Sequence, residues 1–212
     1  DHDQGALGSV ANDRSTERQV EILKMMGCNS IRVTHNPASD ELIDACNKHG
    51  ILVIDEAFDG WVAPKNSNSN DYSKWFNKKI EDGNEIMGAA ENMTWAQFDL
   101  TAMIERGQND PAIIMWSLGN EMWEGTGGYS DDYKTAQDNL VKWAKAADTT
   151  RPVTTGDNKL KSNETGAITL GQELQKAGGI HGMNYSQEWK NHAGKTHYDM
   201  IHEALSLIHI SE

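Results

Sequence analysis

The sequence predicts an α/β fold in which parallel strands curl into a barrel, and three observations carry that expectation. From residue 12 onward, amphipathic segments alternate with short apolar runs, the pattern of stacked βα units. Polar or ionisable residues close the successive runs: His35 and Asn36, Asp55 and Glu56, Asn120 and Glu121, Asp157 and Asn158, with Asn184 and Tyr185 on a fifth. In a barrel all these ends point to one face and gather into a single polar pocket. No glycine-rich phosphate loop follows any run, which disfavours an open doubly wound sheet.

The elements follow in order. Asn12 or Asp13 caps a first helix whose inward face carries Val20, Leu23 and Met26, and Gly27 stops it. A strand over residues 30–34 runs into His35-Asn36-Pro37. Ser39 caps a helix bearing Leu42, Ile43 and Cys46, Gly50 ends it, and residues 51–54 form the next strand before Asp55-Glu56. Residues 61–92 form a polar insertion whose Asn66-Ser67-Asn68-Ser69-Asn70 centre has the composition of an exposed loop. Helices over 94–106 and 130–147 flank a strand ending at Glu121. Further strands end at Asp157-Asn158 and at Met183-Asn184-Tyr185.

Composition bounds the partners. The chain has 212 residues, seven Trp, nine Met and a 37% hydrophobic fraction, ordinary for a globular protein but short for a complete eight-stranded barrel of typically ~250 residues. No stretch approaches the roughly 18 apolar residues of a membrane span. A formal net charge of -13 argues against a nucleic-acid or anionic-membrane surface and suits a neutral or cationic partner. The two cysteines, Cys28 and Cys46, read as reduced core thiols rather than a disulfide. Asp1 is not a natural start, so the compartment is left open.

The run from Ala112 to Leu118 reads as a strand buried on both faces, and Gly119-Asn120-Glu121 closes it. A carboxyl beside an apolar wall at the C-terminal lip of a barrel can keep its proton near neutrality and act as a general acid. By local pattern alone, Asn120-Glu121 reads equally well as a helix N-cap pair after a core strand. Trp61, Trp116 and Trp123 are candidates for an apolar platform on which a ligand ring stacks, although a core or rim role fits any one of them better.

Four segments carry a resemblance: Gly5-Ala6-Leu7-Gly8, residues 27–37 (GCNSIRVTHNP), 54–59 (IDEAFD) and 113–121 (IIMWSLGNE). They resemble the catalytic barrel of glycoside hydrolase family 2, most closely its β-galactosidases. The resemblance implies a retaining glycosidase acting on terminal β-linked sugars, with β-glucuronidase and β-mannosidase as alternatives and a non-catalytic carbohydrate-binding barrel as an alternative of another class. It implies that Glu121 is the general acid/base and Asn120 holds the hydroxyl next to the reacting carbon. By the same resemblance Arg32 orients the nucleophile, His35 lines the sugar subsite, Tyr185 hydrogen-bonds the nucleophile, and Asp55 and Glu56 support the pocket floor. His2 is implied as a first sugar contact, beside Asp1 where the family has a second histidine.

The family's nucleophile, a Glu on the seventh strand, is not expected in this chain. Residues 198–203 resemble the helix before it, and the first strand belongs just before Asp1. The expectation is therefore a partial (β/α)8 TIM barrel over residues 1–204, about strands two to six of eight, inactive alone, with companion β-sandwich domains in the full-length protein. Residues 205–212 look like the translated read-through of a sequencing-library adapter and stand outside the fold. Gly60 and Val62 occupy positions where some family members bind magnesium, so no metal is expected there, and no cofactor is implied. The implied partner is a β-linked oligosaccharide or glycoside.

Overall fold

The computed structural model describes residues 4–81, 88–122, 130–158, 164–185, 190–191, 193–204 and 209–211. Among the described residues six strands lie in the order β1 to β6, every neighbouring pair parallel: β1 (Ser30–Arg32), β2 (Leu52–Glu56), β3 (Ile113–Asn120), β4 (Val153–Asp157), β5 (Ile180–Met183) and β6 (His209–Ser211). Helices separate them: α1 (Asp13–Met25), α2 (Asp40–His49), α3 (Ser73–Phe76), α4 (Trp95–Gly107), α5 (Asp131–Ala147), α6 (Glu164–Lys176) and α7 (His197–Ala204). Sequential parallel order with intervening helices is half of a TIM barrel, as the sequence predicts. Residues 209–211, set apart on sequence grounds, pair with β5 from His181↔His209 to Met183↔Ser211. A bare strand edge offers unpaired N–H and C=O groups that a β-forming segment can take up.

Local chemistry explains where the helices begin and end. Ser39 Oγ accepts from Leu42 N at the start of α2, acidic Asp40 and Glu41 follow, and Gly50 closes the helix at φ +66°. Thr94 Oγ1 likewise accepts from Gln97 N at the start of α4. Asn12 precedes α1 but makes no side-chain capping bond, and Val20 and Thr16 form its buried face. Met26, expected inside, is 73% exposed. It is the cap residue after the last turn, so the helical period no longer carries it toward the sheet.

The core lies between sheet and helices. Val53, Trp116, Leu118 and Val153 meet Leu100 and Ile104 of α4, Leu140, Val141 and Ala144 of α5, and Leu170 and Leu174 of α6, all buried. Each large aliphatic side chain so buried contributes about 1.5–3 kcal/mol. The polar insertion docks through aromatic anchors: Trp61 and Phe76 are buried, while residues 66–70 are exposed as their composition suggests. Cys46 is buried, which pushes its thiol up to about 11, and neither it nor Cys28 is paired. Among the described residues no helix is long and apolar enough to cross a membrane.

Trp116 Nε1 donates to Asp148 Oδ2 at 3.0 Å, and Asp148 also accepts from Thr150 N (2.7 Å), Thr150 Oγ1 (2.6 Å) and Arg151 Nη1 (2.7 Å). Burial raises the Asp148 carboxyl, but the bonds from Thr150, Arg151 and Trp116 outweigh it and hold the group far below the usual carboxylate range. Its folded value is depressed, so its contribution is full above the unfolded value near 3.9 and drains away as pH falls toward the folded one. Asp148→Asn is expected to cost about 1.5–3 kcal/mol at pH 7 and progressively less below about pH 4. Urea unfolding at both pH values checks this, and an equal loss at each would refute it.

Candidate active site

The strand ends meet in one hydrogen-bonded cluster. Glu56, the last residue of β2, is 0% exposed. Its Oε2 accepts from Arg32 Nε (2.9 Å), Arg32 Nη2 (2.7 Å) and Ser117 Oγ (2.6 Å), while Oε1 meets His35 Nδ1 at 2.6 Å. A buried carboxylate is tolerable here because a guanidinium, a hydroxyl and an imidazole replace its water. The 2.6 Å contact to a carboxylate, which can only accept, places a ring proton of His35 on Nδ1.

Arg32, a donor only, fixes the Asn120 amide. Its Oδ1 accepts from Arg32 Nη2 (3.0 Å) and Asn184 Nδ2 (2.8 Å), while its Nδ2 donates to Asp59 Oδ1 (3.2 Å) and lies 3.4 Å from His35 Nε2. The amide therefore has one orientation only. Ser117 and Asn120 are three residues apart on one strand yet both reach the inner cluster, which a period of two forbids. The register between β3 and β4 shifts between those two residues, and this irregularity re-aims Asn120.

Glu121 follows with φ +46°, a left-handed conformation uncommon for a side-chain-bearing residue, and its N–H donates to Gly156 O at 2.7 Å. Its Oε1 accepts from Asn184 Nδ2 at 2.9 Å. Glu121 is thus joined to Arg32 through Asn184 and Asn120, and His35 borders the same group. Tyr185, at φ +60°, stands next to Asn184 on the rim with its ring half exposed. His2 and Trp123 lie outside the described residues.

Two sequence-derived expectations change. Asp55 does not reach the pocket floor: it is buried on the helix side, where Oδ1 accepts from Ala38 N at 2.9 Å before α2. Neighbouring strand residues face opposite ways, so Glu56 inward requires Asp55 outward. Burial pushes the Asp55 carboxyl up, and the Ala38 amide offsets part of that. Asp157 follows the same rule, buried 3.7 Å from His181 Nε2, because Gly156 beside it faces the cluster. Trp61 and Trp116 are fully buried core residues, and Trp61 Nε1 donates to Leu118 O at 2.8 Å.

Three members of the cluster have no role in the sequence reading. Ser117 leaves a signal, a hydroxyl inside an otherwise apolar run, since buried polar groups need partners. Asp59 lies inside a motif segment but its function there is not legible. Lys65 leaves none, because only the docked insertion brings it to Asp59 and to the Asn120 carbonyl. Among the described residues, the His/Cys/Asp/Glu group close enough to hold a metal is Glu17, Glu21 and His49 on the outer helices, where Arg14 and Lys48 already neutralise the carboxylates.

Gly156 leaves room for the cluster. A Cβ there meets Arg32 Nη2 at 2.8 Å, Asn184 Oδ1 at 3.0 Å and Asn120 Oδ1 at 3.3 Å. Gly156→Ala is expected to cost about 1–3 kcal/mol by overpacking, read as a lowered urea midpoint. A variant as stable as its parent would show that the cluster can open.

Across residues 1–201 the chain matches the family described as "Glycosyl hydrolases family 2, TIM barrel domain". It belongs to that family. The family-2 barrel is 34% identical to the β-galactosidase BoGH2A of Bacteroides ovatus, over 76% of this chain and 20% of that protein. It is 30% identical to the β-glucuronidase of Mus musculus, over 71% of this chain and 19% of the relative. Among solved structures, a glycosyl hydrolase family 2 member from Bacteroides cellulosilyticus superposes with TM-score 0.69 at 35% identity, covering 87% of this chain and 20% of that one. The family-2 chain thus spans about a fifth of the length of these relatives, which leaves room in them for additional domains.

Proposed function

We propose that this barrel supplies the general acid/base of a retaining β-glycosidase acting on terminal β-galactosides. The observation that carries the reading is Glu121 at the end of β3, hydrogen-bonded to Asn184 and linked through Asn120 to Arg32. In the proposed reaction Glu121 protonates the departing glycosidic oxygen and later takes a proton from water, while Asn120 engages the neighbouring sugar hydroxyl and His35 lines that subsite. Retention needs a second carboxyl about 5–5.5 Å away as nucleophile. Glu56 is sealed by its partners and Asp55 faces the helices, so the attacker is assigned to a residue outside those described, with Tyr185 as its hydrogen-bond donor.

Galactoside specificity draws support from the Bacteroides ovatus relative and from the cations at the site. A glucuronide carboxylate calls for a cationic partner. Arg32 is engaged with Glu56 and Asn120, and Lys65 with Asp59. The 212-residue half-barrel alone is expected to be inactive, its catalysis depending on the remaining wall and on companion domains.

The test is hydrolysis of nitrophenyl β-galactoside, β-glucuronide and β-mannoside by the full-length enzyme, with the anomer of the first product followed by NMR. Fastest turnover of the galactoside with retained configuration supports the proposal. An inverted product overturns the mechanism, a faster glucuronide or mannoside overturns the specificity, and binding without hydrolysis favours the carbohydrate-binding alternative.

A further inference from the structure

Beside the strand-end cluster lies a cleft of about 530 Å³, between α4 and the loops that follow β1 and β2. That volume falls within the roughly 300–1,000 Å³ of small-ligand sites. Asp59, Lys65, Asp71, Asp99 and Arg106 line it, and the ring of Tyr72 stands on its wall, stacked on Phe58 with centroids 5.0 Å apart.

Asp59 and Lys65 belong to both the cleft and the cluster. Lys65 Nζ donates to Asp59 Oδ1 at 2.6 Å and to the Asn120 carbonyl at 3.2 Å, and Asn120 Nδ2 donates to the same Asp59 oxygen at 3.2 Å. Two donors therefore hold Oδ1. Oδ2 accepts from no described residue, and the side chain is 49% exposed. A carboxylate anchored at one oxygen and open at the other is a preorganised acceptor, with little conformational freedom left to lose on binding.

We propose that this cleft is a second sugar subsite, in which Asp59 accepts hydrogen bonds from the hydroxyls of a neutral ring next to the one being cleaved; the inference rests on the glycosidase reading above. Charge selects the neutral ring. Three carboxylates, Asp59, Asp71 and Asp99, face two cations that are both engaged: Lys65 with Asp59, and Arg106 with the Ala38 carbonyl (2.7 Å) and Asp40 (3.4 Å). A uronate there meets surplus negative charge, whereas a polyol offers donors to the carboxylates and acceptors to the remaining guanidinium protons. Asp59 also touches Asn120, the residue before Glu121, so the cleft adjoins the cluster to which Glu121 is bonded.

The experiment compares kcat/KM of the full-length enzyme on nitrophenyl β-galactoside and on a neutral β-galactosyl trisaccharide. The variants are Asp59→Asn and, on the exposed face of α4, Ala102→Trp, which fills the cleft without removing a polar group. Each is expected to lower the trisaccharide value, relative to the nitrophenyl one, by about ten- to a hundredfold, mainly through KM. If both variants leave that ratio unchanged while thermal melts report folded protein, the cleft holds no sugar. A wild-type enzyme that prefers a uronate-bearing trisaccharide to the neutral one also overturns the proposal. Failure to hydrolyse any β-glycoside at all instead removes the glycosidase reading on which it stands.

Discussion

Glu121→Gln in the full-length enzyme is expected to lower kcat on a β-galactoside with an alkyl or sugar leaving group by about 10²–10⁴, the usual contribution of a positioned proton donor. That is about 3–5.5 kcal/mol of transition-state stabilisation. Gln keeps the size of Glu and an oxygen to accept from Asn184 Nδ2, so the fold and the Asn120 network should persist. The loss should depend on the leaving group. A dinitrophenolate departs without protonation, so its glycosylation step survives, and only the water attack that follows loses its base. Rapid mixing should then show a burst of one equivalent of phenolate followed by slow turnover. A variant that slows all substrates equally, with no burst, would assign the proton donor elsewhere.

The second large effect concerns stability. Arg32→Met strips the guanidinium from Glu56, a carboxylate with 0% exposure, and leaves His35 and Ser117 to hold it among the described residues. Removing one partner of a buried pair typically costs about 3–5 kcal/mol, a large part of the roughly 5–15 kcal/mol by which a domain is stable. Arg32→Lys should recover part of this. An ammonium restores the charge but cannot present a planar fork to Glu56 and a further N–H to Asn120 together. Arg32→Met combined with Glu56→Leu should be less damaging than Arg32→Met alone, since no unpaired charge stays buried. Chemical denaturation of the four proteins decides the matter: a single-variant loss below about 1 kcal/mol would mean that water reaches Glu56.

How much of this site was legible in the chain can be judged from particular residues. His35, Glu56, Asn120 and Glu121 are visible as polar punctuation after apolar runs, because a strand buried on both faces cannot carry such groups internally without partners. Arg32 is visible only through the resemblance, since a cation at a strand end has many structural uses. Asp55 and Asp157 are misread by the same punctuation rule that finds Glu56. The rule locates strand ends but does not say which of two adjacent residues turns inward, and Gly156, with no side chain, gives no sign that it occupies the inner face.

The chain by itself determined the alternation of strands and helices, the cap at Ser39, and the lip on which Asn120 and Glu121 stand, because these depend on local periodicity and on hydrogen bonds a few residues long. Tertiary structure alone decided which residue of each strand end faces the pocket, the register irregularity that brings Ser117 and Asn120 to one side, and the approach of Lys65 to the Asn120 carbonyl. Those features depend on pairings between residues up to 88 positions apart, such as Arg32 with Asn120, and no local pattern encodes a contact whose partners meet only after the parallel strands have paired.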